Sequence, residues 1–77
     1  MLHPRCDYLI TELTNLRTEA RMNRPALALR LGISVAALKN WEDKTTSPTA
    51  NNLVAWAEAL GYEFDLHPLE NKRRHYV

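Results

Sequence analysis

The side chains best suited to covalent or metal chemistry, Cys6, His3, His67 and His75, all lie toward the ends of the 77-residue chain. A Cys/His nucleophilic pair or a metal centre built from them needs the two ends to converge. His3 and Cys6 supply two ligands, whereas a structural zinc site takes about four. No glycine-rich phosphate cradle is present, and no acid pair sits beside a positioned base. The sequence therefore reads as a non-enzyme with no cofactor and no metal. The chemistry left to it is hydrogen bonding and charge, and its use depends on the elements that carry the polar residues.

Those elements follow from periodicity. Over residues 7–22 the apolar Leu9, Ile10, Leu13, Leu16 and Ala20 recur every three or four positions, with Glu12, Arg17, Glu19 and Arg21 between them, which predicts an amphipathic first helix. Asn23 is a suitable N-cap and Pro25 fits a first turn, so a short second helix is expected over 24–31, burying Leu27, Ala28 and Leu31 and stopping at Gly32. Ser34 then caps a third helix over 35–43, whose inward face is Ala37, Leu38 and Trp41 and whose outward face carries Lys39 and Asn40. A polar loop, residues 44–48, leads to a fourth helix ending at Gly61. Either Ser47 or Thr49 can cap it, and Leu53, Trp56, Ala57 and Leu60 fall at core spacing.

Past Gly61 the period changes from 3.6 to 2: Tyr62, Phe64 and Leu66 alternate with Glu63, Asp65 and His67 until Pro68. This predicts a strand over 62–67. No second strand candidate exists in the sequence, so its partner is expected to come from another copy, with Tyr62, Phe64 and Leu66 at the dimer interface. The alternative is an extended tail folded back on the helices. Residues 70–77, with Lys72, Arg73, Arg74 and His75, read as a flexible basic tail.

Two short helices joined by a tight glycine turn, the second exposing small and polar residues at its start, make a helix-turn-helix arrangement. Leu16-Arg17, Leu27-Ala28, Leu31-Gly32-Ile33-Ser34, Leu38, Trp41-Glu42, Pro48, Leu53 and Leu60-Gly61 share one ungapped register. In that register, from about residue 13 to 61, the chain resembles the Cro/lambda-repressor-like (XRE) family of helix-turn-helix DNA-binding proteins. The resemblance implies an all-α, four-helix fold and a helical DNA-binding core over 7–61 within a single domain spanning 1–77. It implies a small Ala28 where two helices pass closely, and a Gly32 where a side chain would obstruct the turn.

It also implies roles for individual residues. Arg17 and Glu42 stand where the family makes an ion pair. Ser34, Val35, Ala36, Lys39 and Asn40 stand where it reads bases: Asn40 suits an adenine edge, Lys39 guanine acceptors or a phosphate, and Val35 and Ala36 thymine methyl groups. Many relatives carry glutamine at Val35 or Ala36, a departure that shifts readout toward apolar contact and DNA shape. Asn23 and Arg24 begin the second helix, where the family grips a phosphate, and Lys44, Thr45, Thr46 and Ser47 are placed for further backbone contacts. The implied partner is double-stranded DNA, met by a homodimeric repressor. Some members of the family with a strand after the fourth helix are instead antitoxins that bind a toxin, and others are phage repressors.

Composition fits this reading once charge is located. With 45% hydrophobic and 25% charged residues the chain is an ordinary globular protein, and 77 residues is little for a self-sufficient core. A net charge of +1 gives no bulk case for nucleic acid. Arg24, Arg30, Lys39 and Lys44, however, cluster in the segment carrying the motif, while Glu58, Glu63, Asp65 and Glu70 lie in the far half. One cysteine cannot make an internal disulfide and no signal peptide opens the chain, so the cytoplasm is the expected compartment. The longest apolar stretch, residues 53–57, falls far short of the roughly 20 residues a membrane crossing needs.

Overall fold

Four helices, α1 (Pro4–Glu19), α2 (Arg24–Leu31), α3 (Val35–Glu42) and α4 (Ala50–Ala59), form the computed structural model, which describes residues 2–69. The basic tail expected over 70–77 lies outside the described residues. α1 begins three residues earlier than its apolar period suggests. His3 is the reason: its Nδ1 accepts the Arg5 N–H at 3.0 Å, and Pro4 occupies the first turn without wasting a donor. Asn23, Ser34 and Thr49 cap the other three helices, each side-chain oxygen accepting an N–H three residues on, at 2.9, 3.0 and 3.1 Å. Thr49 is thus the cap of α4, and Ser47 lies outside it.

All four helices end alike. At each end one residue donates its N–H to the carbonyl five positions back across the last turn: Met22 to Arg17, Ile33 to Ala28, Thr45 to Asn40 and Tyr62 to Ala57. This geometry places one residue in the left-handed region, and these are Arg21 (φ 59°), Gly32 (69°), Lys44 (64°) and Gly61 (91°). Gly32 is therefore explained by backbone conformation. A Cβ built there meets nothing within 4 Å, so the expected steric obstruction of the turn is absent and strain at positive φ is the cost of any other residue.

α2 packs against α3 and α4, and α1 against α3, around a core of Ile10, Leu13, Leu27, Ala28, Leu38, Trp41, Trp56 and Ala57. Ala28 is buried within this core. The two indoles lie 6.0 Å apart at 32°, a tilted pair in the favourable range for aromatic contacts. Trp56 is fully buried and its Nε1–H has no partner among the described residues, an uncompensated donor that costs about 1–3 kcal/mol of what the ring's burial contributes. Leu9 and Leu16 are only half-buried, and Ala20, expected in the core, is exposed because α1 has ended before it. After Gly61 the chain runs through residues 62–68 without helix or strand. A strand needs a ladder partner, and the described residues of one chain offer none.

Candidate nucleic-acid interface

α3 divides into two faces. Leu38, Trp41 and Glu42 are buried, whereas Val35, Ala36, Lys39 and Asn40 are exposed on the opposite side. Ser34 sets the helix start, its Oγ being occupied by the Ala37 N–H. That leaves Val35 and Ala36 as small apolar groups at the exposed first turn. The Asn40 carbonyl accepts the Thr45 and Thr46 N–H groups at 2.9 and 3.4 Å, while its side-chain amide has no hydrogen bond among the described residues. Its donor and acceptor are thus both available to an outside edge. The Lys39 ammonium donates to Asp43 one turn on, at 2.7 Å. This hydrogen bond holds the exposed Asp43 carboxyl below the ordinary carboxylate range.

The inner face is fixed by one buried carboxylate. The Glu42 side chain is 1% exposed and receives three N–H groups: Arg17 Nε at 2.7 Å on Oε2, Arg17 Nη2 at 3.0 Å and Arg24 Nε at 2.8 Å on Oε1. Arg17 also donates through Nη1 to the Met22 carbonyl at 2.9 Å. The guanidinium from α1 therefore holds both the end of α3 and the chain reversal leading into α2. Two arginines on one carboxylate leave a unit of positive charge at this junction, most of it on the more exposed Arg24. Arg24 spends only Nε on Glu42, so its terminal amino groups stay unpaired among the described residues. They sit at the N-terminus of α2, beside the capping Asn23, where the helix dipole also favours an anion.

The sequence did not foretell the Arg24–Glu42 contact, since a second arginine on an already paired glutamate leaves no periodic signature. Lys44 is a larger departure. Its ammonium reaches back to Asp7 and Thr11 on α1. Its left-handed backbone aims the side chain there, a conformation that nothing in the residue type announces. Thr45, Thr46 and Ser47 remain exposed on the loop that Lys44 ties down.

Nearer the N-terminus, Cys6 is half-buried, and the Nδ1 of His3 is taken up by its capping bond. Among the described residues no group of three or more His, Cys, Asp or Glu is arranged to hold a metal ion. No helix there is long and apolar enough to cross a membrane. A helix-turn-helix family model matches residues 13–67, more than half of the chain. No curated protein and no solved structure gives a significant match.

Proposed function

From the premise that the chain belongs to the Cro/lambda-repressor-like (XRE) helix-turn-helix family of DNA-binding proteins, we propose that it is a dimeric transcriptional repressor reading an inverted-repeat operator through α3. The observation that carries this reading is the split of α3: its inner side is locked by Leu38, Trp41 and the Glu42 carboxylate, and its outer side offers uncovered Val35, Ala36, Lys39 and Asn40. Laid in a major groove, Asn40 reads an adenine edge and Val35 and Ala36 meet thymine methyl groups. Arg24, Asn23 and the loop residues Thr45 and Thr46 hold phosphates on either side and fix the register. Two copies joined through Tyr62, Phe64 and Leu66 place their recognition helices in successive major grooves about 34 Å apart. Bound there, the dimer excludes RNA polymerase from an overlapping promoter.

A titration of fluorescent duplexes taken from upstream of the protein's own gene, run at several salt concentrations, tests this. Asn40→Ala relaxes sequence preference by about 1–3 kcal/mol at the base it reads, whereas Arg24→Ala weakens binding on every sequence and lowers the salt slope by about one. Identical behaviour of both variants and the wild type removes the assignment.

A second reading, an antitoxin-type module whose main task is binding a partner protein, is favoured by Leu29. This leucine is 82% exposed on α2, with no role in the core. A toxin gene beside this one, and loss of the toxin complex in Leu29→Asp, distinguish that reading from a dedicated regulator.

A further inference from the structure

The segment after α4 carries an exposed apolar surface whose backbone is open on one side. Tyr62, Phe64, Leu66 and Leu69 are 54%, 36%, 94% and 71% exposed, and Tyr8 on α1, which lines the same groove, is 59% exposed. At roughly 200 Å² for each large side chain they offer on the order of 600 Å², close to the ~800 Å² per partner of a standard interface. The floor of this surface is a groove between α1 and the segment, lined by Tyr8, Leu9, Leu13, Leu16, Tyr62 and Phe64.

The two edges of the segment differ. Tyr62 donates its N–H to the Ala57 carbonyl, at 2.9 Å, and Leu66 donates its own to the Asp65 carboxylate at 2.8 Å. In a strand, alternate residues turn their backbone groups to the same edge, so on the even-numbered edge the chain itself takes up the Tyr62 and Leu66 N–H groups, Pro68 has none, and only the Phe64 N–H is unpaired among the described residues. Glu63, Asp65 and His67 make no backbone hydrogen bond among the described residues. The odd-numbered edge is the one left to a partner.

We infer that residues 63–69 pair antiparallel with the same segment of a second copy in one register, with Leu66 on the two-fold axis and Asp65 opposite the partner's His67. This rests on the dimer proposed above and specifies its contacts. Charge selects the register. Centring on Glu63 or on Asp65 puts two identical carboxylates face to face, and centring on Phe64 sets Glu63 against the partner's Asp65 twice, all unfavourable cross-strand pairs. Centring on His67 opposes the two imidazoles and takes Phe64 out of the overlap with the described residues. Centring on Leu66 opposes no like charges and forms the Asp65–His67 pair twice. Pro68 then faces Phe64 on the even-numbered edge, where its missing N–H removes no ladder bond. Leu66, the most exposed large apolar residue of the described chain, becomes a central pair buried against its own copy.

A Leu66 pair on the axis is of the non-hydrogen-bonded type, with Cα atoms about 4.5 Å apart, inside the range a disulfide spans. The test is a cysteine scan in the full chain with Cys6→Ser as background. Single Phe64→Cys, Asp65→Cys, Leu66→Cys and His67→Cys variants are oxidised with copper–phenanthroline in air, and covalent dimer is read on non-reducing gels. Leu66→Cys is expected to cross-link at least tenfold faster than the other three. Asp65→Cys and His67→Cys are expected to cross-link when mixed, faster than either alone. Fastest self-linking at 64, 65 or 67, or no linking in a chain that sediments as a dimer, overturns the register while leaving the dimer. A monomer by sedimentation overturns both.

Discussion

Glu42→Gln alters the carboxylate that two arginines share. Three N–H groups converge on two carboxylate oxygens, and glutamine keeps one oxygen and replaces the other with an NH₂ that has nothing to offer a guanidinium. If the amide oxygen takes the Oε1 position, the 2.7 Å bond from Arg17 Nε is lost; if it takes the Oε2 position, the bonds from Arg17 Nη2 and Arg24 are lost. In either case two arginines surround a neutral group. Stranding one member of a buried pair costs about 3–5 kcal/mol. Arg17 is 12% exposed and bears that cost nearly in full, but Arg24 is 34% exposed, so its share falls toward the roughly 0–1 kcal/mol of a solvated pair. About 3 kcal/mol is therefore expected for the variant, against a total near 4–11 kcal/mol for a chain of this size. The melting midpoint should fall by roughly 12–24 °C. Urea unfolding followed through the fluorescence of Trp41 and Trp56, with circular-dichroism melts alongside, measures it. Arg17→Met should reproduce most of the loss and Arg24→Ala less than about 1 kcal/mol of it. A Glu42→Gln variant within about 0.5 kcal/mol of wild type, the usual span of surface changes, refutes the reasoning.

Three further outcomes are expected. Arg21→Gly should raise the melting midpoint by about 4–8 °C, because the left-handed backbone costs a non-glycine residue about 1–2 kcal/mol and the exposed Arg21 side chain makes no hydrogen bond that would be lost; a lower midpoint contradicts this. Lys44→Ala should leave the salt slope of DNA binding unchanged, since its ammonium is held by Asp7 and Thr11, whereas a slope smaller by about 0.9 shows that it leaves them for a phosphate. The hydrogen bond from Lys39 depresses the Asp43 carboxyl, so its stabilising contribution is present above the unfolded carboxyl range and fades only as pH falls through the lowered value. Asp43→Asn should accordingly lower the plateau near pH 7 by the same small amount by which it flattens the acid limb, and by freeing Lys39 it should raise affinity for non-specific DNA; an unchanged acid limb and unchanged DNA affinity together reject the pair.

The helices and their order were legible because each is announced by local chemistry: Asn23 and Ser34 by their capping oxygens, Gly32 by its backbone freedom, and the core by the 3.6 spacing of Leu27, Leu38, Trp41 and Trp56. The start of α1 was missed because histidine is an uncommon cap, and only the placed Nδ1 shows it accepting the Arg5 N–H. Periodicity alone puts Ala20 in the core, because the apolar spacing continues up to the point where the backbone turns at Arg21. For Gly32 the conformational reason holds at φ 69°, while the steric obstruction implied by the resemblance is absent. In the candidate interface, the exposed face of α3 follows from helical spacing, which puts Leu38 and Trp41 inward and leaves Val35, Ala36, Lys39 and Asn40 outside. Long-range partners do not: Arg24 with Glu42, and Lys44 with Asp7, depend on how α1, α2 and the loop meet in space. The segment after Gly61 shows the limit of alternation, which marks residues fit for a strand while leaving the partner to be supplied.

The proposed function requires α3 to read DNA as a pair of symmetric copies. Selection of the purified full-length protein on a random duplex library at physiological salt, followed by sequencing, tests this most directly. The expected result is an enriched inverted repeat whose half-sites lie one helical turn apart, about 10–10.5 base pairs, with Asn40→Ala losing preference at one position of each half-site. Binding that enriches no sequence, or a motif that Asn40→Ala, Val35→Ser and Ala36→Ser all leave unchanged, contradicts it.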